Sequence, residues 1–347
     1  LIRRKGREVS NILLDVWNLC VEYNLAGKRM QALDDVSFKV KKGEVLGVAG
    51  ESGCGKSTLG LAIIRLLPSV GEIADGSIRF MGRNLVKLSE QQMDEEIRGK
   101  HIAMIFQNPQ SALNPVFKIE TQMIDILRFQ SKHRKSKAKM SRKELRQQAI
   151  QQLKETGIAD PAERISNYPF EFSGGMKQRV IIAMALSSET SLLIADEPTT
   201  ALDVTIEAQI NKLIDKLAAE YGTSILYITH NLGVLSEMAN RIMIMYAGRI
   251  FEMGRTQSVL GDPRHPYSAA LLESLPGHYT KGKRLLSIPG FVPPLDQLPS
   301  GCSFHPRCPF AEEICRQQVP TLNEVSNGHW SACLLDQQRG RQKWKWI

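Results

Sequence analysis

Long apolar runs are missing from this 347-residue sequence. The longest, such as residues 180–186, fall far short of the ~18 apolar residues that a membrane span requires, so the chain is expected to be soluble. A secretory leader is also missing: the N-terminus is basic but has neither an apolar core nor a small-residue cleavage site, which argues against export and for a cytoplasmic chain. Internal repeats and low-complexity tracts are absent too. Six cysteines are present but unevenly placed, with Cys20 and Cys54 alone and Cys302, Cys308, Cys315 and Cys333 crowded into the last fifth. None of the last four forms the CxxC knuckle usual in structural zinc sites. In a reducing compartment such a cluster still points to metal more than to disulfides.

What is present suffices for two globular units: 42% hydrophobic residues over a length beyond one average domain. A net charge of +9 suits nucleic acid or an anionic membrane surface and separates the two poorly. Strands are predicted at 12–16, 20–23, 36–40 and 44–49, with turns at Ala26-Gly27 and Lys42-Gly43. A helix is predicted at 59–67, then strands at 77–81 and 101–106. From about 110 to 180 the pattern becomes long, polar and helical, with a basic run at 132–143, before apolar strands return at 192–195 and 225–229. A hairpin is predicted over 241–254, turning at Ala247-Gly248. Beyond Gly261 the chain is proline-rich and reads as an irregular appendage. The expected fold is α/β, with a helical insert in the core.

Gly50-Glu-Ser-Gly-Cys-Gly-Lys-Ser57 satisfies the GxxxxGK[ST] spacing at every fixed position, between a strand and a helix. Chance yields such a match in roughly one chain in a hundred. Glycines at 50, 53 and 55 let backbone N–H groups wrap phosphates at a helix N-terminus. Lys56 offers a point charge to the β and γ phosphates, and Ser57 a hydroxyl to Mg²⁺. The loop therefore predicts binding of ATP through Gly50, Glu51, Ser52, Gly53, Cys54, Gly55, Lys56, Ser57 and Thr58, and its hydrolysis. Cys54 reads as a small filler rather than a redox switch.

The apolar strand Leu192-Leu-Ile-Ala ends in Asp196-Glu197, where Asp196 is expected to hold Mg²⁺ and Glu197 to polarise the attacking water. The same Asp-Glu-Pro sequence also suits an acidic helix start. His230 ends the strand 225–229, in place to contact a γ-phosphate, and Gln107 ends the strand 101–106. Taken alone, a structural histidine and a solvated amide describe these two as well. Ser173-Gly-Gly-Met176 opens a long helix and reads alone as a cap.

Together, in this order and spacing, these motifs resemble the nucleotide-binding subunit of ABC transporters over residues 9–254. The resemblance implies a RecA-like P-loop ATPase core with an N-terminal antiparallel β subdomain and a helical subdomain, spanning about 9–260. It implies that Gln107 joins Ser57 and Asp196 at Mg²⁺, and that Ser173, Gly174, Gly175 and Met176 contact ATP held by the opposite subunit. Ala201-Leu202-Asp203 then lies at the dimer interface, and Tyr23 matches the aromatic that stacks on adenine. A tyrosine in an edge strand is as often core packing. Met176 departs from the usual glutamine in a way familiar in the peptide-importer branch.

Arg264-His-Pro-Tyr-Ser-Ala-Ala-Leu-Leu-Glu-Ser-Leu-Pro276 and Gly301-Cys-Ser-Phe-His-Pro-Arg-Cys-Pro309 resemble the C-terminal extension of dipeptide and oligopeptide importers, as does Gln107-Asn-Pro-Gln-Ser-Ala-Leu-Asn-Pro115. Residues 261–347 would then form a small irregular Cys-rich domain. Members of that family carry a 4Fe-4S cluster at the cysteines corresponding to Cys302, Cys308, Cys315 and Cys333, and the proline after Cys308 suits one. Zinc, and free thiols or disulfides, remain alternatives. His305 and His329 are read as surface polar residues rather than ligands.

The resemblance further implies a second, related ATPase subunit as partner, two transmembrane permease subunits, an external peptide-binding protein and no nucleic acid. The chain would sit peripherally on the cytoplasmic face of the inner membrane and hydrolyse ATP poorly alone. Soluble ABC ATPases acting on nucleic acid or ribosomes are the alternative, but the doubled cassette and the very long insertion of those classes are absent. A non-hydrolysing subunit is disfavoured by intact Lys56, Glu197 and His230. The basic run 132–143 suits either anionic lipid or a solvated helix face, and the Arg341-Gln-Lys-Trp-Lys-Trp-Ile347 tail a membrane interface or a loose terminus.

Overall fold

The computed structural model describes residues 11–346 apart from 26, 109–111, 133–139, 187–189, 201, 275–287 and 345. Ala26, the centre of the 107–115 segment, most of the basic run, Ala201, Pro276, Lys345 and Ile347 thus lie outside the described residues. In chain order the elements begin with β1 (Ile12–Leu25), β2 (Lys28–Lys41), β3 (Val45–Ala49), α1 (Lys56–Ile63), β4 (Gly71–Phe80) and β5 (Arg83–Asn84). Next come α2 (Glu90–Glu96), β6 (Ile102–Ile105), α3 (Ile119–Lys132), α4 (Arg142–Glu155), α5 (Pro161–Arg164), α6 (Gly174–Ala185), β7 (Leu192–Asp196), α7 (Val204–Tyr221) and β8 (Ser224–Ile228). The chain ends with α8 (Leu232–Met238), β9 (Arg241–Tyr246), β10 (Arg249–Arg255), α9 (Thr256–Gly261), α10 (Pro266–Glu273), α11 (Glu313–Gln317), β11 (Asn323–Ser326), β12 (His329–Ser331) and α12 (Leu334–Arg339). Two compact units result, Leu1–Val86 with Tyr227–Ile347 and Lys87–Leu226, the boundary falling inside β8.

In the first unit an antiparallel sheet of order β2-β1-β4-β5 bears out the N-terminal β subdomain. Two strands were expected at 12–16 and 20–23, yet β1 runs unbroken through both. Apolar alternation slips a residue between Val16 and Leu19. A bulge there, with Asn18 at φ 47°, returns Leu19 and Val21 to the face that buries Leu14 and Val16. β1 lies between β2 and β4, so Tyr23 is not on an edge strand. The second sheet of this unit runs β11-β12-β10-β9-β3. β3 and β9 are parallel, and all five residues of β3 are buried, as its continuous apolar run requires. The hairpin β9–β10 turns at Ala247-Gly248 as predicted.

The appendage is more regular than its composition suggests. β12 pairs antiparallel with β10 through Glu252↔Ser331 and Met253↔Trp330, extending the same sheet. Three residues are too few to show alternation, so this strand had no periodic signature.

In the second unit β6 and β7 pair in parallel, and Ser224 N–H at the start of β8 donates to Ser191 O. The expected helical insert is present as α3 to α6. Ser141 and Glu144 form a reciprocal capping box that starts α4, which packs on α3 with Arg142 and Arg146 paired to Glu120. Among the described residues no helix is long and apolar enough to cross a membrane.

Candidate nucleotide site

The phosphate loop leaves β3 and enters α1 inside the first unit. Gly50 has φ +153°, and a Cβ there would meet Met245 O at 2.3 Å. Gly55 has φ +103° and a Cβ would meet Ala32 O at 2.9 Å. Only glycine accommodates both the dihedral angles and the close backbone approach. Lys56 is buried, and its Nζ donates to Gly50 O at 2.7 Å and Glu51 O at 2.9 Å, closing the loop on itself. The Cys54 Sγ lies 3.7 Å from the same ammonium. Burial pushes the Cys54 thiol up from its ordinary range, so it is a packed filler rather than an activated thiolate. Ser57 is exposed at the helix start, and Tyr23 Oη lies 3.3 Å from Thr58 Oγ1, linking the half-buried tyrosine to the same helix. His230 follows β8 and is exposed.

In the second unit β7 delivers a buried Asp196 and a half-buried Glu197. Glu197 has φ 45°, an uncommon left-handed conformation for a non-glycine residue, and such strain concentrates at functional positions. Its Oε2 accepts from Gln107 Nε2 at 3.2 Å and from Thr200 Oγ1 at 2.7 Å. Two predicted site residues, 90 positions apart, therefore meet at one oxygen. Ser173 caps α6, its Oγ accepting from Met176 N–H at 3.4 Å. A Cβ on Gly175 would come within 2.9 Å of Ile206 Cγ2, so this glycine sets the approach of α6 to α7. Asp203 caps α7 through Ile206 N–H at 3.0 Å.

The four C-terminal cysteines are free thiols and line one cavity in the first unit, with His265, His305, Phe304, Leu334 and Leu335 among its walls. Burial pushes Cys302 to about 11, and Cys308 and Cys333 to about 12. Backbone N–H groups offset part of this, from Phe304 and His305 at Cys302, Phe310 at Cys308, and Leu335 and Asp336 at Cys333. Among the described residues no group of three or more His, Cys, Asp or Glu side chains stands ready to hold a metal ion. His329 is not the surface residue expected: it is 3% exposed and its Nε2 lies 2.7 Å from the buried Glu252 Oε1. His305 is half-buried, with Nδ1 3.0 Å from Cys302 O. In the tail, Trp344 and Trp346 donate their indole N–H groups to Arg264 O and Pro266 O, so these two rings are packed against the protein.

Three side chains that contact predicted site residues carried no local signal for those contacts. Thr200 is the shorter of the two hydrogen bonds to Glu197. Arg307 binds both carboxylate oxygens of Glu51 at 3.0 Å, and Tyr267 Oη accepts from Glu51 N–H at 2.9 Å. Both latter residues lie inside motifs already singled out, His-Pro-Arg-Cys-Pro and Arg-His-Pro-Tyr, but nothing local names their partner.

Residues 33–200 match the ABC transporter family, and residues 251–315 match the oligopeptide/dipeptide transporter C-terminal region. The chain is 46% identical to a probable peptide ABC transporter ATP-binding protein, y4tR, of Sinorhizobium fredii, over 96% of this chain and 97% of that one. It is 42% identical to the dipeptide transport ATP-binding protein DppD of Escherichia coli, covering 92% and 96%, and 44% identical to the oligopeptide transport ATP-binding protein OppD of Bacillus subtilis, covering 92% and 87%. Among solved structures it resembles the dimeric post-hydrolysis state of the ATP-binding cassette MJ0796 bound to ADP and Pi, with TM-score 0.62, 26% identity, and coverage of 70% of this chain and 99% of that one. The phosphate loop, the strand-end acids and the Ser173-capped helix α6 thus stand in a chain that belongs to the ATP-binding, ATP-hydrolysing subunits of the peptide ABC transporters.

Proposed function

We propose that this chain powers uptake of di- or oligopeptides across the inner membrane, as one of two ATPase subunits docked on two permease subunits and fed by an external binding protein. The observation that carries this reading is the joining, in one chain, of the phosphate loop with a segment matching the oligopeptide/dipeptide transporter C-terminal region. The partner ATPase is a related, different chain, and the protein works peripherally at the cytoplasmic face.

In this reading the N–H groups of residues 50–57 and the Lys56 ammonium hold the ATP phosphates, and Tyr23 stacks on adenine. The hydroxyl link from Tyr23 to Thr58 supports that placement. Ser57, Gln107 and Asp196 would hold Mg²⁺, which neutralises charge on the β and γ phosphates. Glu197 polarises the attacking water, its carboxylate oriented by Gln107 and Thr200, and His230 contacts the γ-phosphate. Ser173, Gly174, Gly175 and Met176 complete the site of the opposite subunit, and Asp203 serves the interface loop as well as capping α7.

The cysteine cavity would seat the 4Fe-4S cluster that the resemblance implies, its four thiols lining one space. A cluster takes thiolates at separate corners, within a largely apolar wall and under N–H donors like those aimed at Cys302, Cys308 and Cys333. Bound there, it would cross-link the three segments that carry the cysteines.

Reconstitution with co-purified membrane partners tests the proposal. ATP-dependent uptake of labelled short peptides into vesicles, lost in Lys56→Ala, is expected. ATPase activity stimulated by nucleic acid and not by membrane partners would overturn it. Anaerobic purification should give a broad visible absorption band with stoichiometric iron and sulfide, lost in Cys308→Ala; a colourless, iron-free protein after such handling would remove the cluster.

A further inference from the structure

The spacing of the phosphate loop leaves its second residue open, and here it is a glutamate held from two sides. Arg307 grips the Glu51 carboxylate with both ends of its guanidinium, at 3.0 Å and 3.0 Å. The arginine side chain is 6% exposed. Its Nε donates to Pro289 O at 2.8 Å, Nη2 reaches Gly290 O and Nη1 reaches Tyr246 Oη, both at 3.3 Å. The guanidinium also lies over the Tyr246 and Phe304 rings. On the backbone side, Glu51 N–H donates to Tyr267 Oη at 2.9 Å, and burial keeps that phenol a neutral hydroxyl.

We propose that Arg307 and Tyr267 are positioning residues of the nucleotide site, so that the C-terminal segment braces the phosphate loop through Glu51. The inference rests on the loop being where ATP binds. A loop with three glycines at positive φ, Gly50, Gly53 and Gly55, carries a large conformational entropy that ligand binding must otherwise remove. A bidentate guanidinium fixes its partner in both distance and plane. The brace therefore orders the loop before ATP arrives, and preorganisation of this kind appears as affinity. Arg307 is in turn held from outside the loop by Pro289 O, Gly290 O and the Tyr246 hydroxyl, and Tyr267 sits in α10 against Tyr246 and Phe304. An ordinary buried ion pair would stabilise the fold without changing nucleotide affinity.

The test uses the full-length protein and a fluorescent ATP analogue with Mg²⁺. Binding by the unaltered protein, abolished in Lys56→Ala, establishes the loop as the ATP site independently of the brace. Arg307→Gln is expected to raise the Kd roughly tenfold, as expected for loss of charge-assisted hydrogen bonds, and Arg307→Lys to recover little of it because the fork is lost. Tyr267→Phe, a deletion of one oxygen, should raise Kd about threefold with little change in Tm. Glu51→Gln combined with Arg307→Gln should be no weaker than the poorer single variant, since both cut the same link. In the assembled transporter the loss should appear in KM for ATP, with kcat within about twofold. An unchanged Kd in both Arg307→Gln and Tyr267→Phe, whatever happens to Tm, would overturn the proposal. So would a double variant whose loss is the product of the single losses.

Discussion

Replacement of Glu197 by glutamine separates binding from chemistry because of how the carboxylate is held. Gln107 Nε2 at 3.2 Å and Thr200 Oγ1 at 2.7 Å converge on the same oxygen, Oε2. A glutamine at 197 can place its amide oxygen there and keep both donors, so the variant loses only the negative charge and one acceptor. The left-handed backbone at φ 45° is equally accessible to either residue. ATP affinity should therefore be preserved, while the general base proposed at this position, worth about 10²–10⁴ in rate, should be lost. At ~1.36 kcal/mol per decade, that is a barrier higher by about 2.7–5.4 kcal/mol. Thr200→Val removes one hydrogen bond to the charged group, about 1.5–3 kcal/mol at most, but leaves the carboxylate in place and should slow turnover less than Glu197→Gln. Phosphate release by the assembled transporter measures kcat, and equilibrium binding of labelled ATP measures affinity. Near-normal turnover in Glu197→Gln would refute the reasoning, as would a loss of ATP affinity that accounts for the whole decline.

Three further perturbations probe other parts of the structure. Gly55→Ala would set a Cβ 2.9 Å from Ala32 O at φ +103°, so the loop cannot keep its path and titration should show ATP binding abolished while circular dichroism stays near normal. Asp203→Ala removes the cap of α7 and should cost about 1 kcal/mol in urea denaturation. Arg264→Ala leaves the fully buried Asp336 without its partner at 3.0 Å and should cost about 3–5 kcal/mol by the same measurement, whereas Arg339→Ala, which breaks the exposed pair with Glu312, should cost under about 1 kcal/mol. Equal effects at positions 264 and 339 would show that burial does not govern these pairs.

Much of the site was legible because its signals are local. Glycines at fixed offsets dictate the dihedral angles of the phosphate loop, and a serine before a long helical run dictates a cap, as Ser173 shows. Where the reading went astray, the local signal was ambiguous. The slip in alternation between Val16 and Leu19 looked like a strand boundary but is a bulge within β1. The helix expected at 59–67 begins instead at Lys56, because Gly55 turns the loop directly into its first turn, and it closes at Ile63 before Arg65 at φ 54°. Composition alone placed His329 on the surface, and the buried Glu252 draws it inside.

The sequence by itself determined that a strand, a glycine loop and a helix would make a phosphate site, and that acids would follow an apolar strand. Those features depend on dihedral angles and on side chains a few positions apart. Only the tertiary structure decided which distant groups complete them. Gln107 meets Glu197 across 90 residues, and Arg307 meets Glu51 across 256. Such pairings are selected by how strands order themselves in a sheet and by what burial demands of each charge. Neither is encoded at any single stretch of the chain.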